Sequence, residues 1–359
     1  MKTSEQGFRV AVVGASSLLG KELLNVLEER HFPFSRLVTF SDDEDELELP
    51  ILDLREGSKA SVLDQHVTAA ELDFAFIAAR SRQMPSFLDS AQASDRGRPA
   101  CFIIDLSTGA PGEEPAEAHG RRKVVSVPFL DLCFPPGTGK KQESNDSRIY
   151  VSAHSATIVI SSLLLRLAGC FPLKGAVAHI FTPASEVGSH GIEELQKQTV
   201  NLLSFQKLPR KVFGAQLAFN VLSRPGGTSG SGLLALENSL RRQLKEYLRG
   251  RVPSPALHLF QVPVFYSLGV SLFIETGEPA AADKAGEALQ GKRVQIRRRS
   301  QESPSQVEAA GSENILVDSV TADPDHPTGL WIWAVADNLR LAALNAVEVA
   351  ESLRHRIAQ

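Results

Sequence analysis

A histidine and a serine stand side by side at the start of an apolar helix and are the first candidates for chemistry. His154 and Ser155 precede a leucine-rich run that has the length and hydropathy of a buried helix. A serine hydroxyl acts as a nucleophile only when a base accepts its proton. Consecutive residues at a helix start point in different directions, so we do not expect His154 to serve Ser155. We predict that Ser155 is the N-cap of a helix over Ala156–Ala168.

A serine-dependent hydrolase would need a base from elsewhere in the chain. His179, His190 and His258 lie in the same half of the sequence. None of them lies at a distance in sequence from Ser155 that indicates a catalytic pair. His190, within residues 188–191, is the best candidate for a polar group with a new role. A hydrolase is therefore the least favoured of the functions that the sequence admits.

The N-terminal segment has the order of strand, tight turn and helix that is typical of a dinucleotide-binding unit. A β-branched run over residues 8–14 ends in glycine, and a leucine-patterned helix follows over residues 21–30. Backbone N–H groups at such a helix start can bind a diphosphate. The residues expected to contact the dinucleotide here are Gly14, Ser16, Ser17, Leu18, Leu19 and Gly20. Short strands over residues 37–40, 74–78 and 102–105 indicate a doubly wound sheet.

An acidic segment after the second strand bears on the choice of cofactor. Residues 41–46 carry several carboxylates, each of which would oppose a 2′-phosphate by about 1 kcal/mol at short range. A carboxylate about 20 residues beyond the turn instead suits a ribose 2′-hydroxyl, and Asp42 is the candidate. The alternative interpretation is an acidic, solvated loop. The cofactor is therefore NAD or NADP with NAD favoured, or there is none.

Composition excludes several classes of function. The net charge of −4 gives no basic field for nucleic acid, and the basic run over residues 293–299 is interpreted as a solvated surface patch. No apolar stretch approaches the roughly 20 residues that span a bilayer, and the N-terminus lacks the apolar core of a signal peptide. The three cysteines are too scattered for a disulfide framework or a metal site; we expect Cys101 and Cys170 to be packed and Cys133 to lie near the surface. These features predict a cytoplasmic location.

Segments along nearly the whole chain resemble, in order, the aspartate-semialdehyde dehydrogenases, and within them the usg-type homologues whose active-site residues have changed. The segments that carry the resemblance are residues 150–159, 191–199, 218–221, 262–265 with 272–275 as a strand pair, and 330–340 with 343–346. The last block lacks a glycine of the family pattern and is one residue shorter. In the turn, the family usually has Gly-Ala-Thr-Gly-x-Val-Gly, so Ser17 replaces its middle glycine.

The resemblance implies an α/β fold with two domains. A Rossmann-like dinucleotide-binding domain would comprise residues 1–153 with 338–359. An α+β semialdehyde dehydrogenase-type domain for substrate binding and dimerisation would comprise residues 154–337 and form a homodimer through its sheet. Asn338, at the start of the closing helix, joins the expected cofactor-binding residues.

The resemblance also implies a reaction whose catalytic groups are changed here. In the family, a cysteine thiolate attacks an aldehyde, hydride passes to the nicotinamide, and phosphate releases the acyl group. A histidine acts as acid and base, and an arginine holds the substrate carboxylate. The cysteine falls at Ser155, the substrate-loop glutamine at Thr182, the arginine at Gln261 and the histidine at Leu268.

Three further family positions also differ. The asparagine before the cysteine falls at His154, residues 185–188 read Ser-Glu-Val-Gly in place of Ser-Gly-Ala-Gly, and the phosphate-binding arginine falls near residues 110–111. The favoured function is thus a catalytically inactive homologue with a residual nucleotide-binding or regulatory role. The alternative is an active NAD(P)-dependent, phosphorylating semialdehyde dehydrogenase of amino-acid biosynthesis that uses unmatched groups. The sequence identifies no small-molecule ligand.

Overall fold

The structure is a computed structural model, and it describes residues 7–40, 59–62, 71–79, 101–107, 123–135, 149–223 and 227–357. The segment after the second strand, with Asp42, and the region of residues 110–111 lie outside the described residues. Among the described helices, none is both long and apolar enough to cross a bilayer.

A parallel sheet forms the N-terminal half of the described chain. Its strands are β1 (Phe8–Val13), β2 (Phe34–Phe40), β3 (Lys59–Val62), β4 (Phe74–Ile77), β5 (Phe102–Asp105), β6 (Lys123–Ser126) and β7 (Ile149–Ser152). Their order is β3-β2-β1-β4-β5-β7-β6, and every neighbouring pair is parallel. The chain order reverses between β1 and β4, as in a doubly wound sheet. The prediction of a Rossmann-like unit is confirmed.

A mixed sheet forms the second half. Its strands are β8 (Leu173–Thr182), β9 (Ala256–Gln261), β10 (Leu268–Thr276), β11 (Val294–Ile296), β12 (Ile315–Val317), β13 (Thr321–Ala322) and β14 (Gly329–Ala336). Their order is β11-β12-β14-β10-β8-β9, with β13 paired to β14. The strand predicted over residues 262–265 is wrong, because β9 ends at Gln261 and the chain there leaves the sheet.

Eight helices surround the sheets within the described ranges. They are α1 (Leu18–Glu29), α2 (Pro128–Cys133), α3 (Ser155–Ala168), α4 (Ser189–Leu203), α5 (Gly227–Tyr247), α6 (Ala282–Leu289), α7 (Gln306–Ala309) and α8 (Asn338–Ile357). A single 3₁₀ turn, Ala184–Val187, precedes α4. The helix α3 is buried on all sides, which explains why its sequence is apolar without a polar stripe.

The last helix returns to the first sheet. Residues of α8 such as Leu344 and Val347 share a core with Val10 of β1 and Phe74 of β4. Near its start, Arg340 binds Glu22 of α1 at 3.1 Å and Glu313 of the second half at 2.9 Å. The division into residues 1–153 with 338–359 and residues 154–337 stays a prediction, and it assigns α8 to the first domain.

Two further predictions about single side chains are wrong. Cys170 is exposed, because the helix α3 ends before it, whereas Cys101 is buried and Cys133 is exposed as expected. The basic run is not uniformly solvated, since the Arg293 side chain is 7% exposed and lies 2.7 Å from the carboxylate of Glu348.

Candidate functional site

The start of α3 is capped by His154. This residue has extended backbone angles, and its Nδ1 accepts a hydrogen bond from the backbone N–H of Ala156 at 3.1 Å. Its own N–H donates to the side-chain carbonyl of Gln243 on α5 at 3.0 Å. The prediction that Ser155 is the N-cap is therefore wrong, because the histidine side chain reaches the first-turn amide and Ser155 becomes the first helical residue.

Ser155 is enclosed and without a base. The residue is 0% exposed, and its Oγ has no hydrogen-bond partner among the described residues. A hydroxyl in such surroundings keeps its proton, because nothing accepts it and the low dielectric opposes the alkoxide.

The second ring nitrogen of His154 is also engaged. Its Nε2 lies 2.9 Å from Oε1 of Glu186, which belongs to the 3₁₀ turn Ala184–Val187. Because Nδ1 accepts from a backbone amide, the tautomer that fits both bonds is neutral and carries its proton on Nε2. His154 therefore has no nitrogen left to accept a proton from Ser155.

Glu186 belongs to a buried polar cluster, which we define as His154, Ser185, Glu186, Ser267 and Asn338. The amide nitrogen of Asn338 lies 3.5 Å from Oε2 of Glu186. The amide oxygen of Asn338 accepts from the Ser185 hydroxyl at 3.2 Å and from the Ser267 N–H at 3.1 Å. The polar cluster thus connects the start of α3, the 3₁₀ turn and the start of α8.

The polar cluster changes the acidity of Glu186. Burial acts to raise the pKa of this carboxyl, but the contact with His154, which includes its Nε2–H hydrogen bond, and the hydrogen bond of the Asn338 amide outweigh burial and hold the pKa below its usual value. Glu186 therefore remains a carboxylate in the folded protein near neutral pH. A group of this kind accepts hydrogen bonds and cannot act as a proton donor.

The other positions at which the family resemblance predicts catalytic residues lie within the second sheet. Thr182 and Gln261 are register partners on β8 and β9, and each is 1% exposed. The Gln261 amide donates to the Thr182 carbonyl at 2.9 Å, and the Thr182 hydroxyl donates to the Phe260 carbonyl at 2.9 Å. Leu268 begins β10 and is buried in the core. These three side chains offer neither a positive charge nor a base to a ligand.

The turn at the start of α1 retains two features of a dinucleotide site. Gly14 has φ +77°, and a Cβ there would lie 2.6 Å from Cβ of Ala79 on the neighbouring strand end. A Cβ on Gly20 would overlap the carbonyl oxygen of Gly14, so this glycine lets α1 pack closely on β1. Both glycines are therefore required by the geometry of the turn.

Ser17 gives this turn a different helix cap. Its φ of −66° and ψ of 159° are ordinary, so the position does not need glycine for its backbone. The hydroxyl accepts from the Gly20 N–H at 3.0 Å and donates to the Gly14 carbonyl at 2.7 Å. The hydroxyl thereby takes one of the first-turn N–H groups that an anion could use. Leu18 and Leu19 form the first positions of α1, and Ser16 precedes the cap.

The other three candidate histidines, His179, His190 and His258, are not part of the polar cluster. His190 is exposed in the first turn of α4. His179 and His258 are register partners on β8 and β9 and pack beside Phe260. Within the described residues, no group of three His, Cys, Asp or Glu side chains is arranged to hold a metal ion.

Sequence reasoning missed the role of Glu186 and Ser267. A signal was present, because the resemblance aligns an expected asparagine with His154 and an expected glycine with Glu186. An imidazole and a carboxylate that replace two small neutral residues are a complementary pair, which indicates that they could contact each other.

Comparison with known proteins identifies the class that this fold and site define. Residues 9–110 match the model of the semialdehyde dehydrogenase NAD-binding domain, and residues 166–341 match the semialdehyde dehydrogenase dimerisation domain. The chain belongs to the aspartate-semialdehyde dehydrogenase family.

Relatives match over nearly their whole length. The chain is 26% identical to the aspartate-semialdehyde dehydrogenase of Rickettsia conorii, over 96% of this chain and 97% of the relative. It is also 26% identical to a USG-1 protein homolog of Pseudomonas aeruginosa, over 97% of this chain and 98% of the relative. In fold it is similar to the crystal structure of aspartate semialdehyde dehydrogenase II from Vibrio cholerae, with TM-score 0.79 and 24% identity over 98% of this chain and 99% of that one.

Proposed function

We propose that this protein is a catalytically inactive member of its family that retains a nucleotide-binding or regulatory role. The observation that carries the proposal is the engagement of both His154 nitrogens beside an enclosed Ser155 without a base. Gln261 and Leu268 supply neither the clamp for a carboxylate nor the acid and base of the family reaction. Losing a nucleophile alone removes orders of magnitude in rate, and here its helpers are absent as well.

The test of inactivity is an assay with purified protein, aspartate semialdehyde, phosphate and NAD or NADP, followed by the absorbance of the reduced nicotinamide. We expect no hydride transfer above the rate without protein. An active family member under identical conditions is the control for substrate quality. Turnover at an enzyme-like rate would reject the proposal in favour of the active semialdehyde dehydrogenase. Labelling of Ser155 by a fluorophosphonate probe would favour the hydrolase.

The nucleotide part of the proposal rests on the turn at α1. Gly14 and Gly20 fit the close approach that a diphosphate requires, and the strand order reverses beside them. When bound, a nicotinamide dinucleotide would supply a hydride acceptor or donor. The turn at α1 and Asn338 would contribute to its binding, and Asp42, which lies outside the described residues, is the predicted partner of the ribose. Calorimetric titration tests the preference for NAD, which a tighter NADP complex would contradict.

We further propose a homodimer formed through the outer face of the second sheet. Phe181 stacks on Phe260 with ring centroids 5.6 Å apart, and Phe273 packs on Trp331 at 4.8 Å on the same face. Trp331 is 40% exposed, which is unusual for so large an apolar side chain. A second copy of the chain would cover this aromatic face, as the dimerisation-domain match supports.

Gel filtration with light scattering tests the dimer. Trp331→Asp, which places a charge on the face, should shift the mass to that of one chain. Leu132→Asp on α2 changes another exposed apolar residue, 81% exposed, and should leave the dimer intact. A wild-type monomer would contradict the proposal.

We also propose that the protein is cytoplasmic, in keeping with three cysteines that form no disulfide.

A further inference from the structure

The two halves of a dinucleotide lie on opposite sides of the point where the strand order of a doubly wound sheet reverses. Here that point falls between β1 and β4. A diphosphate at the start of α1 would therefore leave the adenosine over β2 and direct the nicotinamide half over the carboxyl ends of β4, β5 and β7. The nicotinamide half of the ligand must therefore reach the carboxyl ends of these strands.

The polar cluster lies at this edge of the sheet. β7 ends at Ser152, two residues before His154. The side chain of Asn345 on α8 donates to Ser152 Oγ and to the Ser126 carbonyl, both at 2.9 Å, which holds α8 over the ends of β7 and β6. Asn338, at the start of the same helix, contacts Glu186. The carboxylate therefore lies where the nicotinamide half would have to enter.

The hydrogen-bonding groups of the polar cluster that surround Glu186 are occupied and largely enclosed. The Glu186 side chain is 16% exposed and the His154 side chain 10%. Both atoms of the Asn338 amide group have partners, since the oxygen accepts from Ser185 and Ser267 and the nitrogen lies within reach of Glu186. The nicotinamide ring, whether oxidised or reduced, could enter only by separating Glu186 from His154. That separation would leave a carboxylate partly desolvated and without its partners, which is costly.

We propose that Glu186 closes the space beyond the carboxyl ends of β4, β5 and β7, which we call the cleft. The protein then binds nucleotides of the adenosine diphosphate class, and a nicotinamide adds nothing to their affinity. The inference rests on the nucleotide-binding role proposed above. It makes Glu186 a specificity-determining residue: the ligand is recognised up to its diphosphate and adjoining ribose. The protein would then bind a nucleotide without any redox use of it.

The test compares NAD with ADP-ribose, which has the same two riboses and diphosphate but no nicotinamide. We expect calorimetry to give equal dissociation constants for the two ligands with the wild-type protein. In Glu186→Gly the cleft is open, and NAD should bind about tenfold tighter than ADP-ribose. Glu186→Gln keeps the volume of the side chain but removes its charge, so its preference for NAD should lie between those of the wild type and of Glu186→Gly.

Each other outcome is decisive. A wild-type protein that prefers NAD over ADP-ribose by tenfold overturns the closure but leaves nucleotide binding intact. A folded Glu186→Gly protein without discrimination overturns it as well. If no variant binds either ligand, the proposed nucleotide-binding role fails, and this inference fails with it.

A second measurement needs no variant. In saturation-transfer NMR of NAD with the wild-type protein, the adenine protons should receive strong saturation and the nicotinamide protons little. Equal saturation of both rings would overturn the proposal even if Glu186→Gly did not fold.

Discussion

His154 binds Glu186 through Nε2 at 2.9 Å while its Nδ1 caps the helix that begins with Ser155. This one imidazole ring therefore caps a helix and provides a hydrogen-bond partner for one oxygen of the Glu186 carboxylate. The residue beside Ser155 therefore has a structural role in this fold.

Restoring the cysteine should not restore the reaction. In Ser155→Cys the thiol would be enclosed, as Ser155 is at 0% exposure, and Leu268 still provides no base. We expect no turnover of aspartate semialdehyde and slow alkylation by iodoacetamide under native conditions. Cys133 is exposed in the same molecule and serves as the internal control, because it should react fast. Rapid alkylation at position 155 would contradict the enclosed site.

The stability that Glu186 provides should depend on pH. Because the folded pKa lies below the ordinary value of 4.5, the contribution is fully present above that value and is lost as the pH falls through the folded pKa. Glu186→Gln should reduce the free energy of unfolding by about 1–2 kcal/mol at pH 7. The difference from the wild type should shrink below the ordinary pKa. Urea titrations at several pH values measure it, with Glu193→Gln, a 55% exposed carboxylate, as control. A constant difference down to strongly acidic pH would contradict the pKa assignment.

Two substitutions of Ser17 should separate its cap from its effect on nucleotides. Ser17→Ala removes the acceptor of the Gly20 N–H and should cost about 1 kcal/mol, whereas Ser17→Gly should cost only about a few tenths of a kcal/mol. Both variants free the Gly20 N–H, but only the glycine variant also removes Cβ, so it should bind ADP-ribose more tightly than Ser17→Ala does. Thermal unfolding and calorimetry measure the two effects. Equal affinities in both variants would show that Cβ does not limit the approach of the diphosphate.

The buried ion pair between Arg293 and Glu348 should contribute strongly to stability. Their side chains are 7% and 9% exposed, so Arg293→Met would leave a carboxylate buried without its cation, at a cost of about 3–5 kcal/mol. Arg299→Met, in the same basic run, changes a side chain that is 68% exposed and should cost less than about 0.5 kcal/mol. Chemical denaturation compares the two variants. Similar losses would mean that burial does not distinguish these arginines.

Much of the fold could be predicted from the sequence, because its signals are local. The β-branched run before Gly14 and the leucine spacing of α1 follow from the periods of strands and helices. The strand assigned to residues 262–265 failed because the apolar run there continues past the end of β9, and apolarity alone does not mark where a strand leaves its sheet. The prediction of the N-cap of α3 failed because histidine is rarely the capping residue. Whether its side chain reaches the first-turn amide depends on its rotamer.

The sequence by itself determined the family, the two kinds of sheet and the absence of a thiol at position 155, because residue identities and periodic patterns carry that information. Only the tertiary structure decided which residues His154 and Glu186 contact. Glu186 is 32 positions from His154 and Asn338 is 152 from Glu186, and these residues meet only when both sheets are assembled. Burial, which acts to raise the pKa of Glu186, and the contacts with His154 and Asn338, which outweigh burial and lower that pKa, are properties of that assembly and not of any local segment.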